Sequence, residues 1–310
     1  MSSTVISRLA PTPSGNLHIG NAFNFLLTYL LVHYHEGLLH LRIDDLDGPR
    51  VERSSVEDIF VQLEWLGIDY HYGPSGPDEL YSRHSQQLRI DRYHHTIEVL
   101  KKSGHLFACE CSRSEIRQFS SSTNYPGTCR NKKLDFMKEN QAWRVKVPEE
   151  TIVSCRTLTN QKKNIDLTTK MGDFVIRRRD GLPAYQIASL IDDLEMGVNL
   201  VVRGHDLLAS TAAQLFLSKC LKDSFFPAFP AAYFVHHQLM KNESGEKLSK
   251  SSGDHSLQTL RLKYSSPTVI FQQSAKLLNL PFQDIQTLED LKEVFLSAMV
   301  QNNRLMSLLD

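Results

Sequence analysis

The stretch Ala10-Pro11-Thr12-Pro13-Ser14-Gly15-Asn16-Leu17-His18-Ile19-Gly20-Asn21 places a histidine between two glycines, just ahead of an apolar run. Glycine lets backbone approach a ligand closely, and a helix starting there would aim unpaired N–H groups and a positive dipole end at an anion. A phosphate suits such a place, and His18 could donate a hydrogen bond to charge developing on its oxygens. Far downstream, Glu246-Lys247-Leu248-Ser249-Lys250-Ser251-Ser252-Gly253 sets two lysines around a serine in a Gly/Ser loop. Lysines on mobile stems can neutralise a triphosphate and follow its charge as pyrophosphate leaves. A third group is Cys109-x-Cys111 followed by Tyr125-x-x-x-Cys129. Three thiolates there could hold zinc, with a fourth N, O or S donor completing a tetrahedron. Taken singly, a turn with a surface histidine, a solvated basic loop and three buried reduced cysteines account for the same residues. Cys155 and Cys220 lack metal-like neighbours and are expected in the core.

These residues need a scaffold. Val5 to Leu9 reads as a strand, broken by Pro11, Pro13 and Gly15; Ala22 to Tyr34 is too long for a strand and predicts a buried helix. Leu38 to Ile43 alternates as a second strand, completing a βαβ crossover that opens a parallel sheet. Ligands bind at the carboxyl edge of such sheets, where the first site falls. Ser54-x-x-Glu57 predicts a capping box before Ile59, Leu63 and Leu66, and another helix is expected from about Ser82 to Ser103. From about Leu106 to Thr168 the helical pattern thins and short runs such as Ala142 to Val147 read as strands, an insertion into the sheet. Alternation returns at Asp173 to Ile176 and at Leu200 to Arg203, and helices are expected beyond Ser252. The expected architecture is an α/β, Rossmann-like parallel-sheet catalytic domain in two halves, residues 1–105 and 171–255. A zinc-bearing insertion at 106–170 separates them, and a short helical region covers 256–310.

The His-Ile-Gly-Asn turn after the first strand, with Lys-Leu-Ser-Lys-Ser downstream, resembles the two signature motifs of class I aminoacyl-tRNA synthetases. The segments beginning at Arg8 (to Gly15), Arg42 (to Asp47), Asp180 (to Tyr185) and Val202 (to Asp206) resemble, in order, the glutamyl-tRNA synthetase catalytic body. The similarity runs from about Ser7 to Gly253. The Cys-x-Cys, Tyr-x-x-x-Cys arrangement is similar to the zinc site of the short paralogues in that family, the glutamyl-queuosine tRNA(Asp) synthetases. Length points the same way, since Ser256 to Asp310 is too short for the helical anticodon-binding region of a full glutamyl-tRNA synthetase.

The resemblance implies glutamate contacts at Arg8, Leu9, Ala10, Pro11, Thr12, Asp44, Tyr185 and Arg203. It implies ATP contacts at His18, Gly20 and Lys250, catalysis by His18, Lys247 and Lys250, and one structural Zn²⁺ on Cys109, Cys111, Tyr125 and Cys129. The residue types suit a substrate with two carboxylates and an ammonium: Arg8 and Arg203 can each fork a carboxylate, and an acid must meet the ammonium. Two positions depart from the family. Asp44 stands where it has glutamate, one methylene longer, and Asn21 stands where many class I enzymes have histidine. The implied reaction uses ATP with Mg²⁺ to activate glutamate without tRNA, then transfers it to the cyclopentene diol of queuosine at the wobble position of tRNA(Asp). The anticodon stem-loop would be the macromolecular partner of a monomer. A truncated glutamyl-tRNA synthetase charging tRNA(Glu) and a non-catalytic RNA-binding paralogue are the alternatives.

Lys+Arg and Asp+Glu both number 35 among 310 residues, a formal net charge of +0. That balance disfavours non-specific coating of nucleic acid, which needs a basic excess, but leaves room for a local patch. Arg130, Lys132, Lys133, Arg177, Arg178 and Arg179 are candidates for one, or for plain solvated faces. No run approaches the ~20 apolar residues of a membrane span, Met1 to Thr4 lacks signal-peptide character, and five cysteines is an odd count. A cytoplasmic protein with no membrane partner is expected.

Overall fold

The computed structural model describes residues 4–119, 124–221, 229–239, 256–301 and 305–306. The chain opens with β1 (Ile6–Leu9), α1 (Ile19–Tyr34) and β2 (Leu38–Leu41). α1 is apolar around most of its circumference and is buried accordingly. β2 pairs parallel to β1, Ile6 opposite Leu38 and Leu9 opposite Leu41, which is the expected crossover. The strand stops at Leu41 instead of Ile43. Beyond it, Arg42 and Asp44 still donate backbone N–H groups to Leu9 and Pro11, but their side chains are drawn into a buried ion network.

Next come α2 (Arg53–Trp65), a single turn α3 (Pro77–Glu79), α4 (Ile90–Lys102), β3 (Leu106–Cys109), α5 (Arg113–Phe119) and β4 (Ala142–Val145). They are followed by β5 (Ile152–Arg156), β6 (Lys162–Asp166), α6 (Leu167–Lys170), β7 (Val175–Arg177) and α7 (Tyr185–Glu195). The chain then forms β8 (Leu200–Gly204), α8 (Leu208–Cys220) and β9 (Tyr233–His237), and after them α9 (Leu257–Lys263), α10 (Thr268–Leu277) and α11 (Leu288–Gln301).

β8 and β9 pair in parallel, β5 joins the far side of β9 in parallel, and β6 closes that edge antiparallel. β1 lies against β8, because the Asn199 backbone N–H donates to Ile6 O at 3.0 Å and Ser7 Oγ donates to Leu200 O at 2.7 Å. The two parallel ladders therefore meet edge to edge. β3, β4 and β7 form a separate antiparallel sheet, so the strand read near 173–176 closes that sheet and does not rejoin the parallel one. α10 and α11 pack on α1, sharing a core in which Phe25, Leu26, Phe271, Leu291 and Phe295 are buried. Among the described residues, no helix is long and apolar enough to cross a membrane.

Two local expectations are corrected. The Ser54–Glu57 capping box does not form: α2 begins at Arg53 with Glu52 at its N-cap and no side-chain cap. Arg53 instead takes the Glu57 carboxylate at 3.0 Å, the i,i+4 pairing open to residues one turn apart. The helix expected from Ser82 is broken at Ser85, whose backbone is extended (φ −59°, ψ 140°). The Asp45 carboxylate accepts from Ser85 Oγ at 2.6 Å and from the Gln86 N–H at 2.7 Å, so a buried charge competes with the helix.

Candidate active site

β1, β8 and β9 run parallel, so Leu9, Gly204 and His237 end on the same edge, where ligands collect in sheets of this kind. A cleft of about 520 Å³ opens there, lined by Ala10 to Thr12, His18, Gly20, Tyr185, Arg203, Asp206 and Leu239, among others. A Cβ on Gly204 would stand 2.6 Å from Asp206 Oδ1 and 2.9 Å from Leu239 Cδ2.

His18 is the N-cap of α1. Its Nδ1 accepts the Gly20 N–H at 3.1 Å, while Asn21 Oδ1 accepts the His18 N–H at 3.0 Å, a reciprocal capping box. In the neutral ring this leaves the proton on Nε2, the tautomer that donates. Asn21 thus has a structural duty that its departure from the class pattern did not suggest. The chain leaves the described residues at Leu239, which lines the cleft, and returns at Ser256, which forms a bridge with His18. Leu257 N–H then donates to Leu17 O at 2.8 Å. Lys247 and Lys250, with the whole motif from Glu246 to Gly253, lie outside the described residues, between two ends that are both at the cleft.

Behind the cleft is a buried charge network. Asp193 Oδ1 accepts from Arg8 Nε at 2.8 Å and from Arg42 Nη1 at 2.6 Å. Arg42 Nε also donates to Asp44 Oδ1 at 2.6 Å. Asp192 accepts from Arg89, Tyr93 and Gln86. Burial opposes ionisation of Asp193, but Arg8, Arg42 and Arg203 outweigh it and hold its pKa below the usual carboxylate value. For Asp44 burial wins over Arg42, and the pKa is raised. Among the residues named for glutamate, Ala10, Pro11, Thr12, Tyr185 and Arg203 line the cleft; Arg8, Leu9 and Asp44 stand in the layer behind it. Asp192 and Asp193 were not singled out from sequence. Two adjacent acids inside the apolar run of α7 were the available signal, since buried carboxylates require partners.

Arg203 differs from its neighbours. It is 3% exposed, and Nη2 donates to the amide oxygen of Gln214 at 3.0 Å. Its Nε and Nη1 are buried without a partner. A guanidinium with orphaned donors in a cleft wall suits an anion; Nε and Nη1 lie on different edges, so a two-oxygen fork there would pair Nη1 with the second N–H of Nη2. Nearby His236 accepts or donates at Nε2 to Thr211 Oγ1, 2.7 Å away. Burial first, then Arg203, push its pKa down to about 3, so it adds no competing charge. The unfolded chain takes up this proton below about pH 6.5, the folded chain only near 3, so stability present above pH 6.5 is lost as pH falls through that window. Acidification from pH 7 to 5 is expected to cost about 2 kcal/mol through His236. Urea midpoints at both pH values should show His236→Gln less acid-sensitive than the wild type; equal sensitivity would contradict this.

A second site lies on the insertion. Cys109, Cys111 and Cys129 present sulfurs within 4.8 Å of one another. Cys111 and Cys129 Sγ are 3.5 Å apart, and Tyr125 Oη is 3.4 Å from Cys109 Sγ and 3.8 Å from Cys111 Sγ. Metal–sulfur and metal–oxygen bonds of about 2.3 and 2.0 Å give tetrahedron edges of roughly 3.8 and 3.5 Å. The four residues fit a tetrahedral ion. Arg144 stacks over the Tyr125 ring at 3.9 Å and fixes its plane. Among the basic candidates, Arg130 pairs with Asp173, Lys132 with Glu110 and Arg178 with Asp47, while Arg177 stacks on Trp143 at 4.7 Å.

The parallel sheet carries its cleft at the strand ends, beside a histidine-capped first helix and a buried arginine, the layout of an α/β catalytic domain. The family model for tRNA synthetases class I (E and Q), catalytic domain, matches residues 4–303. Similar proteins include the glutamyl-Q tRNA(Asp) synthetase of Nitratidesulfovibrio vulgaris, 36% identical over 82% of this chain and 80% of that one. That of Cupriavidus metallidurans is 37% identical over 83% and 80%. The solved glutamate-tRNA synthetase of Elizabethkingia anophelis superposes with TM-score 0.76 at 25% identity, covering 94% of this chain and 66% of that longer one. The chain belongs to the glutamyl-Q tRNA(Asp) synthetase family of class I tRNA synthetases.

Proposed function

We propose that this chain activates glutamate with ATP and transfers it to the queuosine base at the wobble position of tRNA(Asp), in the cytoplasm and as a monomer. The observation that carries the reading is Arg203 in the cleft wall, a buried guanidinium whose Nε and Nη1 have no hydrogen-bond partner within the protein. A glutamate carboxylate oxygen attacks the α-phosphorus, the bond to the β-phosphate oxygen breaks, and pyrophosphate leaves. Arg203 orients the amino acid with help from Tyr185 and Thr12. Arg8, set by Asp193, and Asp44, set by Arg42, complete the pocket from behind. His18 Nε2–H and the Gly20 end of α1 meet the phosphates, and Lys247 and Lys250 follow the departing pyrophosphate. Mg²⁺ arriving with ATP screens the triphosphate. A queuosine hydroxyl then attacks the glutamyl carbonyl, AMP leaves and an ester forms.

Glutamate-dependent ATP–pyrophosphate exchange in the absence of tRNA tests the first half. Lys250→Ala is expected to slow it by roughly 10²-fold, the scale of losing one preorganised transition-state charge; an unchanged rate removes Lys250 from the mechanism.

Zinc on Cys109, Cys111, Tyr125 and Cys129 would staple the insertion where it meets β3. Elemental analysis should give one zinc per chain, lost in Cys109→Ala together with several degrees of melting temperature. Wild type without zinc, or Cys109→Ala with full zinc, overturns this ligand set.

A further inference from the structure

The arginines behind and within the cleft are held by two kinds of partner. Arg8 and Arg42 each meet carboxylates, Asp193 for both and Asp44 for Arg42. Arg203 is held by an uncharged one. Gln214, wholly buried on α8, accepts from Arg203 Nη2 at 3.0 Å through its amide oxygen. The groups in contact with this pair are uncharged. His236 is tied to Thr211 on the same helix, and the Phe234 ring lies 5.8 Å from the guanidinium. Asp193 acts on Arg203 through space but spends its hydrogen bonds, both at Oδ1, on Arg8 and Arg42.

We infer that Gln214 is a positioning residue for substrate binding: it fixes the Arg203 guanidinium in the cleft wall through a neutral acceptor, so that the arginine's charge remains available to an incoming carboxylate. This rests on the reading of the cleft as the glutamate-activating site. An acceptor is needed because an unanchored guanidinium on a flexible stem loses orientation. A charged acceptor would be worse, since an internal carboxylate would satisfy the same fork that the substrate must use. Glutamine supplies the hydrogen bond without the charge.

The side chain therefore predicts a particular order of variants. Q214E retains shape and acceptor but adds a competing carboxylate; it is expected to raise KM for glutamate roughly 10²-fold. Q214M keeps the volume and removes the acceptor, and is expected to raise that KM roughly 10-fold. In both, KM for ATP stays at the wild-type value and kcat falls only a few-fold. A mere packing role predicts the reverse split, with lower kcat and melting temperature and an unchanged KM for glutamate. ATP–pyrophosphate exchange on the full chain reads both parameters, and the thermal shift produced by L-glutamate alone reports binding without turnover. Wild type that activates glutamate, with Q214E and Q214M keeping its KM and thermal shift, overturns the inference alone. If Q214E fails to fold, Q214M decides by the same criterion. Wild type that activates no amino acid and shows no thermal shift overturns the functional reading and this inference with it.

Discussion

Arg203→Leu is expected to lower kcat/KM for glutamate in pyrophosphate exchange by roughly 10²–10³-fold, the consequence of removing a buried charged partner from a carboxylate. The same substitution should leave the fold intact or make it more stable. In the protein without substrate, Nε and Nη1 of Arg203 are buried and unpartnered, and burial pushes the guanidinium pKa down. Replacing a desolvated, under-paired charge with an apolar side chain removes that cost, which outweighs the roughly 1–3 kcal/mol of leaving the Gln214 acceptor unpaired. Activity and stability should therefore move in opposite directions, which is the signature of a residue kept for function. Exchange kinetics and a denaturant melt on one preparation test both halves. A variant that loses stability together with activity would show Arg203 to be a structural ion and not a receptor.

Asp193 should behave in the contrary way. Its carboxylate holds Arg8 and Arg42 at once, 2.8 and 2.6 Å away, with all three groups buried. Asp193→Ala strands Arg8 and leaves Arg42 with Asp44 as its one bonded carboxylate, and breaking a buried pair by removing one partner costs about 3–5 kcal/mol. For a protein with a total stability on the order of 5–15 kcal/mol, that is a large share. The expected result is a lower urea midpoint at unchanged m-value, with exchange activity lost as Arg8 is released from its place behind the substrate. A loss below about 1 kcal/mol would contradict the network's structural role. The sign with pH follows from the depressed pKa: the contribution is full above the ordinary carboxylate range and disappears as pH falls through the lowered value.

What could be read from sequence divides along physical lines. The βαβ opening was legible because α1 is apolar on nearly every face and its neighbours alternate, so periodicity and burial agree. The clustering of Cys109, Cys111 and Cys129 was legible because thiols at short, paired spacings are brought together by one turn of chain. The break at Ser85 was not, because it is imposed by Asp45 from forty residues away, and no local pattern records that pull. Val175–Arg177 looked like a return to the parallel sheet because strand propensity carries no information about partner. The division between cleft wall and supporting layer was also invisible in one dimension. Arg8, Asp44 and Arg203 look alike as charges in motif-like segments, yet only a three-dimensional arrangement shows which has spent its hydrogen bonds on the protein. Gln214 carried no sequence signal at all.

The most direct test of the central claim is transfer of radiolabelled glutamate, with ATP, to tRNA(Asp) that carries queuosine, to the same tRNA lacking it, and to tRNA(Glu). The account predicts label on the queuosine-containing tRNA(Asp) alone. Label on tRNA(Glu), or on tRNA(Asp) regardless of queuosine, would contradict it.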